Sequence, residues 1–201
     1  MKPAPTRALP LALPLALLLS LALLLGGCSE PSSASGTPTA SGSPSLPGAT
    51  ATDTGWIQLV IPMDDQAEQL LALAVDRASA PDLATWAAAS SKQHRTELSL
   101  LRPLLRRMGL PGTNVHEGHD MPGMVTEADL ARGRRLTGPA FDRFVLRQLR
   151  DHLSHSRRVS RSAARSAGSG EVRRLAARIA DTRADQLKAL PGGRGESDQG
   201  H

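Results

Sequence analysis

The chain aligns with itself. Displaced by 89 positions, Val60 falls on Leu149, Leu83 on Val172, Ala87 on Ala176, Leu98 on Leu187 and Leu101 on Leu190. The match runs without a gap over about fifty residues, the signature of a repeated supersecondary unit. Each copy carries two apolar stripes of helical period. A single helical hairpin of this kind leaves an apolar face in water, and two of them facing each other bury both. The expected fold is therefore all-α: a four-helix bundle made of two repeated hairpins over residues 53–190. A long crossover at 109–125 and a short extra helix join them.

Composition agrees. The chain is 40% hydrophobic but only 2% aromatic, with no Tyr, so Ala and Leu must build the core. In the first hairpin, Trp56, Leu59, Val60, Met63, Ala67, Leu70, Leu71 and Ala74 recur at helical spacing. Pro62 inside that stripe predicts a kink or a late start. Ser79-Ala80-Pro81-Asp82 has the form of a capping box opening the second helix, which Pro103 should bend or end. Thr126-Glu127-Ala128-Asp129 is a second such box and opens a short helix ending near Arg135. A third long helix starts at Pro139 with Phe141, Phe144, Val145, Leu149, His152 and Ser156 inward. Gly168 and Gly170 end it, and Val172 to Leu190 form the fourth.

The same displacement exposes a polar layer. Met63 falls on His152, His94 on Arg183 and Glu97 on Gln186, all on or beside apolar stripes, with Asp64 alongside. Buried polar groups must pair. One reading is a salt-bridge and hydrogen-bond layer around Arg183. The other is a metal site using Asp64, His94, Glu97 and His152. Di-iron bundles need paired Glu-x-x-His motifs, and His94-Arg95-Thr96-Glu97 has the reverse order.

The connector holds the densest set of ligand types. His116-Glu117-Gly118-His119-Asp120-Met121-Pro122-Gly123-Met124 places two imidazoles and two thioethers within nine residues. Met-Pro-Gly-Met fits a type II turn, which brings its end Cα atoms to within about 7 Å. Thioethers select Cu(I), and imidazole suits copper, zinc, nickel and iron, so a His116, His119, Met121 and Met124 set points to copper. The simpler alternative is an exposed loop whose Met side chains cover one end of the bundle.

Both ends of the chain lie outside the expected fold. Lys2 and Arg7 precede a Leu/Ala run, and residues 1–27 read as a secretion signal. Leu25-Gly26-Gly27-Cys28 resembles a bacterial lipobox, whose Cys becomes the lipid-modified first residue of the mature protein. Cys28 is then an anchor point, and as the single Cys it leaves no intramolecular disulfide. Residues 28–52 are a Ser/Pro/Gly-rich tether, and 191–201 a frayed tail. The formal charge is +5, and +3 without Lys2 and Arg7. The late arginines can meet anionic lipid or wall polymer. Nucleic acid is excluded by the export signal and the absence of an aromatic platform.

Over residues 53–190 the chain resembles domain-of-unknown-function family 305, ferritin-like helical proteins of the bacterial envelope. The marks are Met121-Pro122-Gly123-Met124, Gly138-Pro139-Ala140-Phe141-Asp142-Arg143, Asp151-His152, and the closing stretch Val172 to Leu187. The family carries a His-His pair after Phe-Asp and often a related pair in the other half. Here His152 is followed by Leu153, and Met63-Asp64 occupy the matching places. The resemblance implies no enzymatic activity, and some members are linked with copper handling. The expected function is a lipid-anchored extracytoplasmic metal-binding protein, with copper as its ion. The rival is a metal-free envelope interaction module that docks through its basic third and fourth helices. No nucleophile–base pair, phosphate loop or paired-carboxylate signature supports an enzyme.

Overall fold

The structure, a computed structural model, describes residues 46–192. The leader at 1–27, Cys28, most of the tether and most of the tail lie outside the described residues. The described residues form five helices and no strand: α1 (Ala51–Arg77), α2 (Pro81–Arg107), α3 (Glu127–Arg135), α4 (Gly138–Ser166) and α5 (Gly170–Ala189). α1 pairs with α2 and α4 with α5, and α1 also lies along α4, whereas α2 and α5 scarcely touch. The short α3 sits in the crossover and packs on α1 and α4. This is the all-α bundle of two hairpins that the internal repeat predicts. None of these helices is long and apolar enough to cross a membrane.

Local details correct the sequence reading. α1 begins at Ala51, inside the stretch read as tether, because Thr50 and Asp53 close a cap there. The Thr50 backbone N–H and hydroxyl both donate to Asp53 Oδ2, at 2.8 and 2.6 Å. Pro62 is therefore not a late start, and α1 runs through it. Pro103 likewise does not end α2, which continues to Arg107. Proline removes one donor from each ladder, and the buried stripes on either side hold both helices together. On α1 it is Ile57, not Leu59, that is fully buried. Thr126 caps α3 as expected, its hydroxyl accepting from Asp129 N–H at 3.1 Å.

Ser79 is not the cap of α2. Ala80 holds that position, and the missing acceptor comes from another helix. Asp142 on α4 accepts from Ser79 N–H and Ala80 N–H, each at 3.0 Å, and from the Ser79 hydroxyl. In the other half, Asp53 on α1 accepts from Gly168 N–H at 2.8 Å and Ser169 N–H at 3.0 Å. Each of these residues in the first half is 89 positions from its counterpart: Asp53 and Asp142, Ser79 and Gly168, Ala80 and Ser169. The two hairpins thus exchange caps reciprocally. Burial raises the Asp53 carboxyl, and hydrogen bonds from Thr50, Gly168 and Ser169 outweigh it, leaving the group below the usual carboxylate range. Gly168 has no room for a side chain, since a Cβ there would lie 2.2 Å from the Gly48 carbonyl oxygen.

The core has two apolar clusters. One, around Trp56, Val60, Leu101, Leu104, Val172 and Ile179, fills the end where α1 begins. The other, around Leu70, Leu71, Ala87, Phe141, Phe144 and Leu149, fills the opposite end. Between these clusters each of α1, α2 and α4 buries polar groups, Asp64, His94 with Glu97, and His152 with Ser156, and α5 follows its apolar stretch with buried Arg183 and Gln186. A polar layer therefore crosses the middle of an otherwise apolar bundle.

Candidate metal centre

Five of these groups are fully buried: Asp64, His94, His152, Ser156 and Arg183, each at 0% exposure. Arg183 organises one side. Its Nη2 donates to Asp64 Oδ1 at 2.7 Å and Glu97 Oε2 at 2.6 Å, its Nη1 to Gln186 Oε1 at 3.1 Å and its Nε to Ser156 Oγ at 3.1 Å. Asp64 and Glu97 share this guanidinium, but only the Asp64 carboxylate also converges with the histidines, which removes Glu97 from the ligand set read from sequence. Glu97 also lines an open groove of about 520 Å³ between α2 and α5, the weakly packed pair.

The histidines form the other side. His94 Nδ1 lies 3.0 Å from the Ser90 carbonyl oxygen and His152 Nδ1 3.2 Å from the Gly123 carbonyl oxygen. A carbonyl oxygen only accepts, so each Nδ1 carries a hydrogen and each neutral ring presents a bare lone pair at Nε2. Those two Nε2 atoms face each other at 3.2 Å. Burial foremost, then the Arg183 charge, holds His94 well below its ordinary value and takes His152 down to about 3. A proton shared between the rings is therefore disfavoured at neutral pH, and the two lone pairs face each other.

Asp64 completes the set. Its Oδ1 is 4.0 Å from His94 Nε2 and 3.8 Å from His152 Nε2, and its buried Oδ2 has no hydrogen-bond partner. Among the described residues, Asp64, His94 and His152 are the His, Cys, Asp or Glu side chains whose ligand atoms converge. A point equidistant from the three atoms lies about 2.1 Å from each, the length of a zinc–imidazole bond. Each ring already donates its other N–H to a carbonyl, the support that metal-bound histidines require. Burial pushes the Asp64 carboxyl up to about 7, Arg183 pulls against this, and Glu97 adds to it. These residues fit a metal ion.

The connector takes the turns expected of it. Met124 N–H donates to Met121 O at 2.9 Å with Gly123 at φ 77°, and His119 N–H to His116 O at 3.0 Å with Gly118 at φ 76°. His116, His119 and Met124 line one open cleft of about 560 Å³ with Gln66 and Glu127, and Met121 is not among its lining residues. The Met-Pro-Gly-Met turn also touches the buried layer. Gly123 N–H donates to Asp151 Oδ2 at 3.0 Å while its carbonyl accepts from His152. A Cβ at Gly123 would lie 2.3 Å from His155 Cβ, so the close approach itself requires glycine. Sequence reasoning missed this link because it runs through backbone atoms, which leave no residue signature.

The family described as Domain of unknown function (DUF305) matches residues 53–192. The chain belongs to the DUF305 family. Two solved DUF305 structures share its fold. A fragment from Deinococcus radiodurans is 22% identical, with a TM-score of 0.64 over 73% of this chain and 97% of that one. A Streptomyces coelicolor DUF305 protein, named as a secreted one, is 17% identical, with a TM-score of 0.61 over 69% of this chain and 89% of that one. No curated protein matches the sequence.

Proposed function

We propose that this DUF305 protein is an extracytoplasmic, lipid-anchored metal-binding protein whose ion is held inside the bundle by His94, His152 and Asp64. The observation that carries the reading is the pair of Nε2 atoms 3.2 Å apart, each on a ring whose other nitrogen faces a carbonyl oxygen. Two imidazoles and a carboxylate without sulfur suit Cu(II) and Zn(II). The connector ligands His116, His119, Met121 and Met124 suit Cu(I). Copper is the element both donor sets accept, each in a different oxidation state, and it remains the ion we assign. Export and anchoring follow from the leader and Cys28, and the name of the Streptomyces relative agrees with export.

A specific feature favours the metal-free interaction module as a second reading. Arg183 already compensates Asp64 and Glu97, so the layer retains a resident cation when no ion enters. A thermal melt separates the two. A ligand specific to the folded state at 100 times its Kd adds about 2.7 kcal/mol. Cu(II) or Zn(II) should raise the melting temperature of the wild type by several degrees and leave His94→Gln and His152→Gln unmoved. No shift in the wild type, or equal shifts in all three, would leave the module as the better account.

A further inference from the structure

One end of the bundle carries the chain's excess positive charge. Asp53 reaches the α4–α5 turn, Trp56 Nε1 donates to Ser160 Oγ at 3.2 Å and Arg107 pairs with Glu171. The start of α1, the end of α2, the end of α4 and the start of α5 therefore meet there. The segments 46–60, 103–113 and 154–178 hold nine arginines against two carboxylates, Asp53 and Glu171. The whole chain carries only +5, so the remainder is net negative. Arg157, Arg158, Arg161 and Arg165, with Ser154, line one open groove of about 330 Å³ on α4. None of the four pairs with a carboxylate among the described residues. Gathering four guanidinium groups in one groove raises their mutual repulsion, and no salt bridge among the described residues offsets it.

We propose that this end of the bundle docks on an anionic phospholipid surface, the α4 groove receiving a headgroup phosphate. Guanidinium groups suit phosphate, and a cluster of them suits a surface presenting many. The described chain also enters the bundle here, with Gly48 against Gly168. Cys28 precedes Leu46 by 18 residues. An extended chain of that length spans at most about 60 Å. A lipid on Cys28 would thus hold the basic end near the membrane. The choice of a membrane over a wall polymer rests on that Cys28 reading, and the metal reading plays no part in it.

The test uses the mature chain, residues 28–201, with Cys28→Ser, so that neither the apolar leader nor an acyl group contributes, sedimented with phosphatidylglycerol or phosphatidylcholine vesicles. Each arginine at such a surface is worth about fivefold in binding. The expected result is a preference of at least about tenfold for phosphatidylglycerol that fades as the Debye length shortens with added salt. R157Q/R158Q/R161Q/R165Q should lose it, and R143Q/R147Q, exposed on the same helix toward the other end, should keep it. Should the quadruple variant melt early, R161E/R165E carries the same expectation. Equal binding to both vesicles, a preference that survives the α4 substitutions, or equal loss in R143Q/R147Q would overturn the proposal. So would tighter binding to a soluble glycerol-phosphate polymer than to the vesicles. A Cys28 chain that binds both vesicles while the Cys28→Ser chain binds neither would retain the anchor and remove the basic end.

Discussion

The two halves of the bundle agree at its ends and disagree in its middle. At the turns, Asp53 and Asp142 occupy equivalent places and perform the same cross-capping on the opposite hairpin. In the central layer, equivalent places hold His94 and Arg183, Met63 and His152, Asp64 and Leu153, Glu97 and Gln186. The scaffold kept its two-fold character where geometry alone matters. Where buried polar groups converge, the halves hold different side chains, and together they form a set that neither could form alone. One half contributes an imidazole and both carboxylates, the other an imidazole and the compensating guanidinium.

The largest expected effect lies on the arginine. Arg183→Ala leaves Asp64 and Glu97 buried without their partner and should cost about 3–5 kcal/mol in chemical denaturation. A cost below about 1 kcal/mol would mean that the layer is not held by that ion pair. Next come the caps. Each carboxylate takes several hydrogen bonds, and bonds to charged groups contribute about 1.5–3 kcal/mol. Asp53→Asn and Asp142→Asn should therefore destabilise by about 2 kcal/mol each, within about 1 kcal/mol of one another. A large inequality would show that the halves are unlike at their ends as well.

Ion binding should depend on pH through Asp64. A carboxyl pushed up to about 7 is protonated below that pH, and an ion must displace the proton. Affinity should thus rise as the pH passes upward through 7 and fall toward pH 5, where the proton wins. A titration of Zn(II) affinity that stays flat over this range would exclude Asp64 as a ligand. The smallest effect belongs to the connector: Met121→Leu with Met124→Leu should change stability by no more than about 0.5 kcal/mol, as surface substitutions do. The same pair should abolish Cu(I) binding while leaving Cu(II) or Zn(II) binding at the interior intact.

The bundle was legible because its evidence is periodic. An apolar stripe at helical spacing and one displacement of 89 residues are enough to place four helices and their pairing. The members of the polar layer were legible for the same reason, since Asp64, His94, Glu97, His152 and Arg183 interrupt those stripes. Their partnership was not. Whether Glu97 meets His94 or Arg183 depends on helix rotation and on side-chain reach, and His94 and Glu97 sit one turn apart on the same face either way. The reciprocal caps left a trace that the apolar comparison passed over: an identical aspartate at both ends of the displacement. The hold of Gly123 on His152 left none.

The most direct measurement is anomalous X-ray scattering from crystals of the protein grown with Cu(II) or Zn(II) and collected at the metal edge. The account predicts a peak within bonding distance of His94 Nε2, His152 Nε2 and the Asp64 carboxylate, in the middle of the bundle. A peak confined to the His116–Met124 connector, or none in crystals whose protein remains folded, would contradict it.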